Sequence, residues 1–332
     1  MKKFLNDPDA VPDEAVEGYV NAFPDYVRKL EGHRVVVRDD APVDGKVGVM
    51  VGGGSGHEPF WFGYVGEGMY DAVVVGNVFS SPTPEAAYQA TKAIDSGEGV
   101  LYLLGNYEGD KMNLGMAKDR AEDDGIDVQI VNVTDDVASA PEGEEEERRG
   151  IAGNIFAAKI AGAKAERGAN LDEVAAAARK ANENMRTMGV ALTPCIMPST
   201  GEPHFELGEG EMEVGMGIHG EPGVERTDLK SAEEVAETMT EAVLADLPFR
   251  DGDTVVAMMN GLGATPYHEL FILWRTVSDI LTEEGIDVYR SFVGDYCTSI
   301  DMKGASLTLM RLDEELEDLF TDHVETPYFS PY

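Results

Sequence analysis

Basic residues are scarce in this chain: 26 Lys and Arg stand against 63 Asp and Glu in 332 residues, a formal net charge of −37. A protein that follows nucleic-acid phosphates needs a basic face, and one that settles on an anionic membrane needs clustered Lys and Arg. Neither nucleic acid nor a membrane surface is therefore an expected partner. Cysteine is nearly absent as well. Cys195 and Cys297 are the only two, too few for a disulfide framework or a cysteine-rich zinc site, and a reduced pair is the expectation. No segment reaches the roughly 18 consecutive apolar residues of a membrane helix. The charged start Met1-Lys2-Lys3 is not followed by the apolar stretch of a signal peptide, so the expected location is the cytoplasm.

What is present argues for a folded chain. Hydrophobic residues make up 43%, and they recur in periodic segments, which a disordered acidic polymer does not show. A length of 332 residues fits two domains at about 150 residues each. The excess of acid is then read as the lysine-poor skin of a protein adapted to molar salt. At about 1 M salt the Debye length is roughly 3 Å, which screens the self-repulsion.

The first half alternates short Val-rich runs with helical stretches. A lead-in helix is expected over Glu14–Lys29, then strands around residues 34–37, 46–51, 71–76, 99–104 and 127–133. Helices are expected over 83–96, with Pro84 in the first turn, and over 113–124, 154–167 and 170–187. This grammar predicts a doubly wound, mostly parallel α/β sheet over residues 1–187. Residues 188–332 predict a second α/β domain, a smaller mixed sheet with helices. Its strands are expected near 190–193, 211–218, 254–259, 287–292 and 305–312. Its helices are expected over 231–247, with Ser231 and Glu234 forming a capping box, and over 267–284. The acidic run Pro141–Glu147 is expected to be an exposed loop with which Arg148 and Arg149 can pair.

Four glycine-rich segments follow strands, where doubly wound sheets bind ligands. Gly52-Gly53-Gly54-Ser55-Gly56-His57-Glu58-Pro59 has neither the lysine of a Walker loop nor dinucleotide spacing; His57 is either a functional imidazole or a structural loop histidine. Gly105-Asn106-Tyr107-Glu108-Gly109-Asp110 brings Asp110 to the same sheet edge, as a general base towards a hydroxyl or as a helix N-cap. Gly215-Met216-Gly217-Ile218-His219-Gly220-Glu221-Pro222-Gly223 sets His219 in an open loop, able to serve as ligand, base or nucleophile. A metal is the weakest of these readings, because no H-x-x-x-H or cysteine cluster converges with it. Asn260-Gly261-Leu262-Gly263-Ala264-Thr265-Pro266 is either an anion site at a helix N-terminus or a tight turn.

In this order, with Ser81-Pro82-Thr83-Pro84, Arg148-Arg149-Gly150 and Tyr296-Cys297-Thr298-Ser299, these segments resemble the K subunit of dihydroxyacetone kinases along nearly the whole chain. The resemblance implies that His219 bonds covalently to the substrate carbonyl carbon as a hemiaminal. It implies that Asp110 and His57 hydrogen-bond the triose and act in acid/base steps, Asp110 as base for the attacking hydroxyl. Gly54, Ser55 and Gly56 are implied to contact the substrate through backbone. No nucleotide motif occurs in the chain, and the sequence ends at Tyr332 soon after the last of these motifs. The expectation is therefore that no cofactor binds here and that ADP or ATP with Mg sits on a partner L subunit, recharged in many prokaryotes by a phosphotransferase protein. A homodimer is expected by the same resemblance. One position departs: where bacterial K subunits commonly carry a lysine before Asn-Tyr-x-Gly-Asp, this chain has Gly105. That puts triose affinity and substrate choice in question. The alternatives to a catalytic subunit are a K-like paralogue that senses dihydroxyacetone as a coactivator, and a kinase subunit for another small carbonyl sugar such as glyceraldehyde.

Overall fold

The computed structural model describes residues 2–330. They form two compact units built from several chain segments. One comprises Lys2–Val133, Asn154–Ala181 and the residues from Leu316 on; the other comprises Thr134–Gly153 and Asn182–Glu315. The boundary drawn between 187 and 188 from sequence falls inside a strand, Met185–Thr193.

The first unit opens with α1 (Val11–Ala22) and β1 (Val27–Lys29). The helix expected to run to Lys29 stops at Phe23 because Pro24 follows, which cannot donate into the ladder and disfavours helix in the residue before it. Then come β2 (Val35–Arg38), β3 (Gly48–Ser55), β4 (Ala72–Val78), α2 (Pro84–Ile94), β5 (Val100–Leu104), α3 (Glu108–Asp123), β6 (Val128–Asn132), α4 (Asn154–Glu166) and α5 (Leu171–Glu183). The six strands lie in the order β1-β2-β4-β3-β5-β6. β4, β3, β5 and β6 are parallel, and β1 and β2 add an antiparallel margin. Met50, Val74, Tyr102 and Leu104 of the sheet pack with Ala87, Ala90 and Ile94 of α2 and Leu114 and Ala117 of α3 in one apolar cluster. Below the sheet margin, Asp71 accepts from Lys46 at 2.6 Å and from the Val49 amide at 2.8 Å, and Arg38 bridges Asp71 to Asp40 and Glu166. The charges are buried but matched, which is the condition under which such a group is tolerated.

The second unit has β7 (Met185–Thr193), β8 (Glu211–Val214), β9 (Glu225–Asp228), α6 (Ala232–Asp246), β10 (Thr254–Gly261), α7 (Tyr267–Glu283), β11 (Asp287–Gly294) and β12 (Lys303–Leu312). Its sheet also has six strands, in the order β11-β10-β12-β7-β8-β9, with only β10 and β11 parallel. The capping box at Ser231 and Glu234 forms as predicted. The helix expected to reach residue 187 gives way at Glu183, since Met185 onward pairs with β12. A last helix, α8 (Glu314–Thr321), was not legible as such.

Arg148 and Arg149 also find carboxylates beyond the acidic run, while the Gly143 N–H and the charge of Arg148 help to hold Glu145 below its ordinary value. Arg148 is buried and makes a bidentate pair with Asp246 at 2.8 and 2.6 Å, while Arg149 binds Asp136 at 2.8 Å. Folding supplies both with better-shielded carboxylates than the exposed residues Glu142–Glu144 can offer. Among the described residues no helix is long and apolar enough to cross a membrane.

Candidate active site

In the first unit β3 continues through the glycines, so Gly52-Gly53-Gly54-Ser55 is strand rather than loop. The glycines are there because neighbours come close. A Cβ on Gly53 would stand 2.7 Å from the Trp61 indole, and one on Gly54 would stand 2.6 Å from the Ser80 amide nitrogen. The Trp61 indole N–H also donates to the Gly54 carbonyl at 3.2 Å. Only after Ser55 does the chain turn, carrying His57 to a fully buried position. Phe79, at the end of β4, stacks on the His57 ring with centroids 5.1 Å apart and planes 22° from parallel.

β5 ends at Leu104, and α3 begins four residues later, earlier than the expected start at residue 113. Asp110 is thus the third residue of α3, buried, and Tyr107 is the N-cap. The N-cap reading of Asp110 is excluded. α3 is tied to the segment 81–84: Asn113 Nδ2 donates to the Pro82 carbonyl at 2.9 Å, and a Cβ on Gly109 would meet only Ser81. Thr83, expected as the first helical residue, is instead the N-cap of α2, with Pro84 in the first turn as expected. Phe79 and Asn106 both hold φ near +60° without being glycine, at 55° and 62°. Such backbone persists only where surrounding contacts enforce it, and here both examples lie at strand ends. β3 connects outward towards β4 and β5 towards β6, so the turn carrying His57 and the first turn of α3 carrying Asp110 follow the two strands that flank the point where the sheet changes direction.

In the second unit β8 ends at Val214, and the chain turns at Gly215 into the segment that carries His219. The turn is closed by Gly217 N–H to the Glu221 carbonyl at 3.1 Å and Gly220 N–H to the Gly217 carbonyl at 3.0 Å. Gly220 has φ +78°, which a side chain rarely tolerates. Glu221 folds back on the histidine. Its Oε1 lies 2.9 Å from His219 Nδ1, and its Oε2 accepts the His219 backbone N–H at 3.0 Å. Burial opposes charge on Glu221, yet the hydrogen bond and charge of His219, with Arg149 3.9 Å away, outweigh it and hold the carboxyl at about 2. When the ring is neutral, an ionised Glu221 accepting from Nδ1–H leaves the lone pair of the imidazole on Nε2. Ser299 donates to the Ile218 carbonyl at 2.6 Å, which gives the Tyr296-Cys297-Thr298-Ser299 motif a bracing role.

The fourth glycine segment is a structural turn. Asn260 Oδ1 accepts from the amides of Tyr296 and Cys297, and Asn260 Nδ2 donates to the Cys297 carbonyl and to Ser306. The Asp295 carboxyl faces Gly261; burial raises it, and the Gly263 N–H pulls the other way. A carboxylate in that space disfavours a bound anion.

Glu221, Phe79 and Asn106 are contributors that sequence reasoning did not single out. Only Glu221 had a legible signal: an acid two residues past a histidine within a glycine turn.

The Dak1 domain family matches residues 17–328. A relative from Listeria innocua, the dihydroxyacetone-binding subunit of a PTS-dependent dihydroxyacetone kinase, is 46% identical over 330 residues and 99% of both chains. The D-erythrulose kinase of Mycolicibacterium smegmatis is 44% identical, and this chain spans 56% of its length. Of solved structures, the dihydroxyacetone kinase of C. freundii superposes with a TM-score of 0.92 at 36% identity, over 99% of this chain and 60% of that one. A dihydroxyacetone kinase operon co-activator superposes at 0.89 with 31% identity, over 96% of this chain and 98% of the other. A family match across almost the whole length, with the motif order intact, means that this chain belongs to the Dak1 domain family.

Proposed function

We propose that this chain is the dihydroxyacetone-binding, catalytic subunit of a dihydroxyacetone kinase, an enzyme that phosphorylates an alcohol group. The observation that supports the reading is the His219–Glu221 pair: with Glu221 Oε1 2.9 Å from Nδ1, Nε2 is the ring nitrogen left to attack when the imidazole is neutral. The Nε2 lone pair attacks the ketone carbon, the C=O π electrons move to oxygen, and that oxygen takes up one proton from the medium as Nδ1 of the alkylated ring gives one up, so a neutral hemiaminal results. A triose has few atoms with which to bind, at a ceiling of about 1.5 kcal/mol per heavy atom. A reversible covalent bond holds it, rejects glycerol, which has no carbonyl, and fixes the hydroxyl that is to react. Asp110 takes the proton of that hydroxyl as it attacks phosphorus, and His57 assists by hydrogen bonding and proton transfer. Backbone of Gly54, Ser55 and Gly56 contacts the triose.

The phosphoryl group arrives on a separate L subunit carrying ADP or ATP and Mg. The name of the Listeria relative, PTS-dependent, supports a donor recharged by a phosphotransferase protein. We further read the chain as a cytoplasmic homodimer from a high-salt cell. The co-activator reading is favoured by one superposition; the 46% identity to a kinase subunit and the presence of His57, Asp110 and His219 favour catalysis. The erythrulose kinase relative supports testing a four-carbon ketose beside the triose.

The deciding experiment is carbon NMR of carbonyl-labelled dihydroxyacetone with the protein in high salt. The ketone signal is expected to move to the tetrahedral region with the wild type and to stay put with His219→Ala. Asp110→Asn is expected to keep the captured signal and lose phosphorylation when the L subunit is added. An unmoved signal with the wild type overturns the covalent reading, and full turnover by Asp110→Asn removes it as base.

A further inference from the structure

Arg148-Arg149-Gly150 is one of the ordered motifs, and its two arginines diverge. Arg148 goes to Asp246, while Arg149 faces the turn that carries His219. The backbone beneath Arg149 is fixed. Its N–H donates to Ser139 Oγ at 2.9 Å, and its carbonyl accepts from the Asp136 N–H at 3.1 Å. The neighbouring Asp135 is tied to β7 through the Thr187 N–H, and its carboxylate accepts the N–H groups of Ile151 and Gly153, both at 2.8 Å. From this base the guanidinium spans two carboxylates. Nε and Nη2 hold Asp136 Oδ2 at 3.0 and 2.8 Å. Nη2 also donates to the Gly215 carbonyl at 3.3 Å, and Nη1 stands 3.9 Å from Glu221 Oε2. A Cβ on Gly217 would run into both Nη1 and Oε2, so only glycine leaves these two groups room to face each other.

One of these contacts is structural: the Asp136 side chain is 1% exposed, and a buried charge needs a partner. The other has a different consequence. At 3.9 Å Nη1 and Oε2 are too far apart for a hydrogen bond, so what Glu221 receives is charge. A carboxylate on Nδ1 favours the protonated ring, which has no lone pair to attack with. A cation at the far oxygen of that carboxylate works against this, because it repels a second ring proton and weakens the pull of Glu221. Its presence matters most when the ring is neutral and lends Glu221 no charge of its own. Asp136 does not cancel all of the arginine charge. Burial pushes Asp136 up to about 7, with Arg149 opposing and Asp135 reinforcing, so near neutrality it is only partly ionised. Beside the turn, Glu213 is engaged by Arg226 and the Gly223 N–H, and His204 lies against Gly220. We propose that Arg149 is a positioning residue for triose capture, which tethers the start of the His219 turn at Gly215 and offsets the hold of Glu221 on the ring proton. This deepens the proposed function and rests on His219 being the nucleophile.

The test is carbon NMR of carbonyl-labelled dihydroxyacetone, held below saturation in high salt and followed across the histidine titration range. Arg149→Met/Asp136→Asn removes the arginine without stranding a buried charge, so the fold is kept. In this double variant the pH at which half of the tetrahedral signal is lost is expected to rise by about one unit, with signal regained at the alkaline end. Asp136→Asn alone keeps the arginine and is expected to stay at or below the wild-type midpoint. Arg149→Lys, which keeps the charge without the planar fork, is expected to return the midpoint towards wild type. A double variant with the wild-type profile overturns the proposal. So does a loss of signal by the same factor at every pH with the midpoint unmoved, which would make Arg149 a structural brace alone. An equal rise in Asp136→Asn alone would assign the shift to Asp136 and overturn it too. Failure of the covalent reading is distinguishable, because the wild type then shows no tetrahedral carbon at any pH.

Discussion

Glu221 grips His219 twice, through Nδ1 at 2.9 Å and through the backbone N–H at 3.0 Å, so one carboxylate sets both the ring and the turn beneath it. Glu221→Gln keeps the size but presents an amide N–H to one of the two donors it now accepts from. Charge-assisted hydrogen bonds are worth about 1.5–3 kcal/mol, so triose capture is expected to weaken at least tenfold while the thermal midpoint changes little. Calorimetric titration with dihydroxyacetone checks this, and wild-type affinity in Glu221→Gln would remove Glu221 from the capture step. Gly217→Ala is expected to act the same way, because its Cβ would run into Glu221 and Arg149.

Gly54→Ala is expected to abolish triose binding and to destabilise the first unit by about 1–3 kcal/mol, the usual cost of overpacking. The new methyl would stand 2.6 Å from the Ser80 amide and 2.9 Å from Phe79 Cα, which are backbone and cannot rotate away. Urea unfolding together with triose titration reads both effects, and normal binding by this variant contradicts the close packing at this strand end.

Lys159 is a buried lysine on α4 whose Nζ donates to the Leu319 carbonyl of α8 at 2.8 Å. Burial drives its pKa down from 10.5 to about 8, with Asp322 opposing and Arg167 reinforcing the shift. A lysine whose pKa is lower folded than unfolded penalises the folded state while both are protonated. The penalty is full below about 8 and is relieved as pH rises from there towards 10.5. Wild type is therefore expected to gain stability relative to Lys159→Met over that window, by up to the order of 3 kcal/mol at about 1.4 kcal/mol per unit. Parallel pH profiles of the two proteins in urea would contradict it.

A net charge of −37 makes screening a stability term. Raising salt from 0.1 M to about 1 M shortens the Debye length from about 10 Å to about 3 Å, and the thermal midpoint is expected to rise steadily over that range. A midpoint indifferent to KCl would remove the high-salt reading and leave the acidic skin unexplained.

The elements that read correctly from sequence are those whose signals are local. Pro84 behind Thr83, the Ser231 and Glu234 capping box, and the apolar runs of β4 and β5 depend on neighbours within a turn or on simple periodicity. The misread ends share a cause. Residues 185–187 look helical by composition, but they pair with Thr308, Leu309 and Met310 of β12, more than a hundred residues away. The glycines at 52–54 look like a loop, and only the nearby Trp61, Pro82 and Ser80 explain why a strand should be made of glycine.

The amino-acid order alone determined the family, the alternation of strand and helix, and which imidazoles and carboxylate deserved attention, because ordered motifs and periodicity are written along the chain. Tertiary structure alone decided that Asp110 sits inside the first turn of α3, that Arg148 and Arg149 turn to Asp246 and Asp136, and that Glu221 folds back to orient His219. Those outcomes are competitions between partners. Which carboxylate an arginine meets, or which donor an acid accepts from, depends on burial and distance, and both exist only once the chain has closed on itself.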